Sequence, residues 1–202
     1  MVRVETLYNT PMEVIWREVL NSARLTVNKK NIDKEPSSAF KLEILKSEHT
    51  PIRLMWFKIY LSDLPTFVSQ QYSRHIICGI HDTFDGREQV NKTDIDHFVT
   101  TQRTDRTGTD RNKLPQDTPV NHLIVANAKG IIDMSRKRLC QLADPEAIKW
   151  WKKVKSEMMN ICPELSDRMQ PECIYRGSCY EGKCCGYNKS NHFNLTLNKY
   201  RQ

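Results

Sequence analysis

The sequence predicts an α+β fold, a small sheet packed with several helices. Two segments, 11–25 and 146–161, repeat apolar residues at helical intervals, and one run, 52–61, alternates apolar and polar positions around Trp56. Proline or serine marks the joins between them. Composition agrees: 202 residues, 39% hydrophobic and 27% charged, suit one core-forming domain and argue against a disordered chain. Lys and Arg number 31 against 24 Asp and Glu, a net charge of +7. Such an excess is ordinarily a solvated basic surface and less often a phosphate or nucleic-acid site. No run approaches the ~18 apolar residues of a membrane span. Residues 1–9 are acidic and polar where a signal peptide is apolar, so a cytoplasmic protein is expected.

The elements follow in order. Met12, Val14, Ile15, Val19, Leu20 and Leu25 give residues 11–25 a helical apolar face. The polar stretch 28–38 ends in Ser37-Ser38, a helix-start signal for a second helix over 39–46 with Phe40, Ile44 and Leu45 inward. Thr50-Pro51 stops that helix and launches the strand through Ile52, Leu54, Trp56, Ile59 and Leu61. After Pro65, residues 67–75 resemble a helix. Residues 79–114 are polar and aperiodic, the pattern of a long functional or mobile loop. Val120, Leu123, Ile124, Ile131, Met134 and Leu142 predict one long helix over 120–142. A last helix, 146–161, follows Pro145 with Ile148, Trp151, Val154 and Met158 on one side.

Several residue groups carry chemistry. Arg103, Arg106 and Arg111 sit among Thr, Asp and Gly, a composition suited to gripping an anion through bidentate guanidinium bonds. No aromatics interleave with them, so a nucleic-acid partner is not expected. Glu48-His49-Thr50-Pro51 places a histidine at a helix–strand junction, and Gln71, Arg74 and His75 form a donor-rich end to an apolar segment. On the predicted long helix, Asn127 and Arg138 are eleven positions apart, on nearly one face and roughly 16 Å apart along it. A polar ligand between them would satisfy both, whereas Arg138 snorkelling to solvent would need none.

Seven cysteines, an odd number, make a disulfide framework a poor fit. Cys78, Cys140 and Cys162 read as small buried apolar residues. Cys173, Cys179, Cys184 and Cys185 crowd together around Gly177, Gly182 and Gly186. That density fits a thiolate metal knuckle, but the spacing is not the paired two-residue gap of zinc ribbons and no His falls inside it. A reduced, metal-free tail is the expectation, with the knuckle as the alternative.

Taken in order, these segments resemble the flavin-dependent thymidylate synthase family. Glu48-His49-Thr50-Pro51 precedes the strand; Phe67-Val68 and Gln71 lead to Arg74-His75; Arg111 stands three positions before Leu114-Pro115; Asn127-Ala128 precedes Arg138, with Ala143 and Glu146 beyond. The resemblance covers about 22–146. It implies a small, mostly antiparallel sheet, a family-like domain over 1–161 and a cysteine-rich tail over 162–202. It also implies methylation of dUMP to dTMP with FAD, NADPH and methylene-tetrahydrofolate in a homotetramer. By residue, His49, Arg74 and His75 would touch FAD, with Asn127 and Asp133 flanking its ring. Gln71, Arg87 and Arg111 would bind dUMP, and Arg138 would lie against the pyrimidine and act in catalysis. The chain departs from the family pattern after His75. Ile76 stands at a family Arg, neither family Ser is present, His81-Asp82 stand in for an Asn-Glu pair, and Arg87 follows after one inserted residue. Lys129 replaces a common Arg, and Asp133 an Asn. Transfer of another one-carbon group, such as hydroxymethyl, and a silent nucleotide- or nucleic-acid-binding relative are the alternatives.

Overall fold

The computed structural model describes residues 1–75 and 94–202. A four-stranded antiparallel sheet forms the centre. Its strands are β1 (Val2–Thr6), β2 (Trp56–Pro65), β3 (Ile95–Val99) and β4 (Pro119–Asn127), in the order β1-β2-β4-β3. Around it lie α1 (Met12–Leu25), α2 (Ser38–Lys46), α3 (Thr66–Ser73), the one-turn α4 (Thr104–Thr107), α5 (Ala128–Arg138) and α6 (Pro145–Ile161). The chain continues into α7 (Pro163–Arg168), α8 (Glu172–Arg176) and α9 (Asn191–Arg201). The α+β class with a small antiparallel sheet is therefore as predicted. Among the described residues no helix is long and apolar enough to cross a membrane.

The helix signals at 11–25, 37–46, 66–73 and 145–161 are met. Ser37 accepts from the Phe40 amide, and Asp144 accepts from Glu146 and Ala147 with Pro145 at the first turn of α6. Trp16 and Val19 of α1 and Trp151, Val154 and Met158 of α6 join Phe57, Ile59 and Ile124 of the sheet in one core.

Three expectations need correction, and one strand was not anticipated. The predicted helix over 120–142 is a strand followed by a helix. Val120, His122, Ile124 and Ala126 are buried at alternate positions, a period of two that fits the 3.6-residue template nearly as well over so short a run. The strand predicted from Ile52 begins only at Trp56, because Pro51 opens a 3-10 turn, Thr50–Leu54. The aperiodic stretch 79–114 contains β3, where His97 and Phe98 obscure the alternation. The polar N-terminus holds β1, whose Val4 is buried opposite Ile59.

Register sets the neighbours at the sheet's far end. His97 lies opposite Ile124, and His122 lies opposite Leu61 on one side and Val99 on the other. His97 and His122 are thus diagonal neighbours on one face.

Candidate active site

The turn from β4 into α5 is built by Asn127. Its side-chain oxygen accepts from the Gly130 amide at 3.0 Å, and its Nδ2 donates to Asp94 Oδ1 at 2.7 Å. The Asp94 carboxylate is buried and also pairs with Arg53. Gly130 is required here, since a Cβ would sit 2.7 Å from the Asp94 carbonyl oxygen and 2.6 Å from Ile95 Cγ1. Trp151 Nε1 donates to Ser135 Oγ at 2.9 Å and ties α5 to α6. These contacts aim the last residue of α5, Arg138, at the end of α3.

Arg138 meets two residues there. Its Nε donates to His75 Nε2 at 2.7 Å, and its terminal nitrogens donate to Gln71 Oε1 at 3.1 Å and to the Gln71 carbonyl at 2.6 Å. A guanidinium has five N–H donors. Among the described residues three are used, which leaves two for a ligand. Beneath, the buried Tyr72 hydroxyl donates to the Ala147 carbonyl at 2.6 Å, its ring edge-on to Trp151. Burial pushes the Tyr72 hydroxyl pKa up, so it stays a neutral strut.

A chain of neutral groups runs away from this point, and its donors can be assigned from one end. The His75 carbonyl can only accept, so His97 Nε2, 3.2 Å away, carries the proton. His97 Nδ1 then accepts from His122 Nε2 at 2.9 Å, and His122 Nδ1 accepts from the Ser69 hydroxyl at 3.0 Å. Burial, then the Arg138 charge, hold His75 down to about 4; burial, then His97, hold His122 there too. His97 is lowered by burial. At neutral pH all three rings are uncharged, as the assignment requires.

The remaining predicted residues lie apart from this trio. Arg74 is exposed at the C-cap of α3, close enough for its charge to act on Arg138. Asn127 is 1% exposed, with both ends of its amide engaged as described. Asp133 accepts from Arg136 at 2.7 Å and pairs with Lys129, in a cluster that Glu48 completes by pairing with both cations. Asp133 precedes Arg138 by five residues, about 140° around the helix, so the two leave α5 on different sides. Glu48 holds a left-handed backbone, φ 52°, rare for a non-glycine residue. His49 is exposed beside a groove of 490 Å³, whose wall includes Val27, Phe40, Ile44 and Pro51. Arg111 is exposed in a 3-10 turn, Arg111–Lys113, capped by Asp110. Arg103 is paired with Asp105 by two bonds near 3 Å. Arg87 lies outside the described residues.

Sequence reasoning missed Ser69, His97 and His122, although a histidine at an inward position of an alternating run was a usable signal. Among the described residues no group of three or more His, Cys, Asp or Glu side chains, as placed, is arranged around a single ion.

No family model and no curated protein matches the chain by sequence. Solved structures match by shape. One is a UMP/dUMP methylase, PolB, from Streptomyces cacaoi, bound with 5-Br dUMP: TM-score 0.56, 10% identity, 83% of this chain and 94% of that one. Another is Thymidylate Synthase X (ThyX) from Helicobacter pylori, with FAD and dUMP: TM-score 0.56, 9% identity, 84% of this chain and 99% of that one. The α+β arrangement around Arg138 is thus a divergent form of the ThyX fold, in keeping with the resemblance read from the sequence.

Proposed function

We propose that the chain modifies carbon 5 of a deoxypyrimidine monophosphate, in the first instance methylating dUMP to dTMP with methylene-tetrahydrofolate, FAD and NADPH. What carries the reading is Arg138: a half-buried guanidinium fixed by Gln71 and a neutral His75, with two donors left over among the described residues. A uracil ring presents carbonyl oxygens that accept such donors. That both neighbours named above were solved with dUMP or its 5-bromo analogue supports the choice of base.

The residues present fit a nucleotide and a flavin in character. The groove beside His49 has an apolar wall and a polar rim at Ser47 and Thr50, and its volume falls in the range of ligand pockets. His49, Arg74 and His75 would hold FAD; Arg111 and Gln71, with Arg87, would hold dUMP. Asn127 and Asp133 would act on the ring's surroundings, Asn127 through the Gly130 turn and Asp133 through Lys129 and Arg136. Bound FAD supplies the redox chemistry, passing on the two electrons that NADPH provides.

The chain's own residues orient and polarise. Carbon 5 becomes nucleophilic as ring-nitrogen electron density moves toward the neighbouring carbonyl, so enolate-like negative charge builds on that oxygen before carbon 5 attacks the one-carbon unit. Arg138, already fixed, stabilises it without reorganising. Neutral His75 accepts from Arg138 Nε and so holds the fork in place without competing for the base as a second cation. The carbon 5 proton leaves to solvent as the new carbon–carbon bond is kept. The carbon–nitrogen bond to the folate breaks with tetrahydrofolate as leaving group, and the hydride equivalent from NADPH, available through FAD when bound, would complete the methyl group. A homotetramer in the cytoplasm is part of the same proposal.

Mass spectrometry of the nucleotide formed from dUMP, methylene-tetrahydrofolate, FAD and NADPH tests it. A product 14 mass units heavier, as a methyl for hydrogen exchange requires (~14 from ordinary valence), is expected. A hydroxymethyl product would support the sister activity, and unchanged dUMP with no flavin bound would overturn both.

A further inference from the structure

Beyond Met169 the chain builds a separate cluster with only three buried side chains, Ile174, Phe193 and Leu197. A unit this small ordinarily needs a disulfide or metal, because so little burial does not offset the entropy of ordering the chain. Between α8 and α9 the only regular structure is a 3-10 turn, Tyr187–Lys189. This is where Cys179, Cys184 and Cys185 lie.

Cys179 and Cys185 line a cavity of 320 Å³ together with Cys173 from α8 and Cys140 from the connection between α5 and α6. Four of the twelve lining residues are cysteine, in a chain where 7 of 202 are, so chance would place fewer than one there. Cys140, expected from the sequence to be a buried apolar residue, is only partly buried at this cavity instead. Gly177 and Gly186 take φ of 82° and 85°, turning the chain sharply at each end of the thiol-bearing loop. The Gly186 amide donates to Cys184 Sγ at 3.3 Å.

We propose that Cys140, Cys173, Cys179 and Cys185 hold a metal centre through four thiolates, as one zinc ion or an iron–sulfur cluster. Four cysteine ligands serve either. On binding, each S–H loses its proton to solvent as a metal–sulfur bond forms, with no change in the oxidation state of sulfur. The four sulfurs as placed do not close on one point; each swings about a single side-chain bond, and metal binding draws such ligands together as the loop sets. Cys184, bonded to Asn188 and Gly186 and within hydrogen-bond reach of Cys179, does not line the cavity and stands beside the centre rather than in it. Because Cys140 follows Arg138 by two residues, the centre pins the end of α5 that presents Arg138.

The test is metal and acid-labile sulfide analysis of the full chain purified without oxygen. Parent protein is expected to carry one zinc per chain, or iron with matching sulfide, and the analysis tells which. Cys140→Ser and Cys179→Ser are expected to lose it, and Cys184→Ser to retain it. Metal-free parent protein, full metal in Cys140→Ser, or loss in Cys184→Ser would overturn the assignment. Should a variant fail to fold, thiol titration of the parent decides: four thiols are expected to react only after a chelator is added, and equal reactivity without it refutes the site.

Discussion

Acid should destabilise this fold through His122, and the size of the effect follows from its surroundings. The ring is 1% exposed, donates to His97 and accepts from Ser69, and is held down to about 4 against an ordinary 6.5. The sign follows from proton binding: between those values the unfolded chain takes up a proton that the folded chain refuses, so stability is full above about pH 6.5 and is lost as pH falls toward 4. At 1.36 kcal/mol per tenfold difference in proton affinity, the loss between pH 7 and pH 4 is about 3 kcal/mol for this residue. His122→Phe removes the titration, at the expense of the buried Ser69 hydroxyl and of His97 Nδ1. Each loses its partner, which costs about 1–3 kcal/mol at pH 7. Urea unfolding of parent and variant at pH 7 and pH 4 should therefore show the variant weaker at pH 7 and the gap changed in its favour by about 3 kcal/mol at pH 4. A difference between the two that stays constant with pH would refute the neutral histidine chain.

Two further substitutions probe the scaffold that aims Arg138. Gly130→Ala should destabilise by about 1–3 kcal/mol despite alanine's higher helix propensity, because the new methyl meets the Asp94 backbone; a variant as stable as the parent in urea would show that this approach is not tight. Asp144→Ala should cost about 1 kcal/mol by uncapping α6, leaving the Glu146 and Ala147 amides unpaired; a thermal midpoint that does not fall would mean water replaces the cap without loss.

Much of the fold was legible in the sequence where period and punctuation agreed. Ser37 and Asp144-Pro145 announce α2 and α6, and the alternating aromatics around Trp56 announce β2. The run from Val120 to Leu142 misled because a strand passes directly into a helix at Asn127, with no proline or glycine between, and their combined apolar positions imitate one long helix. β3 was hidden because a five-residue edge strand with exposed Phe98 and Val99 has little alternation to read.

At the site, Gln71, His75 and Arg138 were each singled out in sequence, and the fold brings all three into contact. Their contacts depend on the angle between α3 and α5, which no local pattern encodes. His97 and His122 went unnoticed for a related reason: their link is a diagonal across two strands 25 residues apart. Cys140 likewise joins the tail cysteines only through the packing of α5 against α8.

The most direct measurement is tritium release from dUMP labelled at carbon 5, comparing Arg138→Ala with its parent under saturating FAD, NADPH and methylene-tetrahydrofolate. If a fixed guanidinium stabilises the charge developing on the pyrimidine, the rate should fall by about 10²–10³, with the variant still folded on the apolar face of α5. Release at the parental rate would contradict the account.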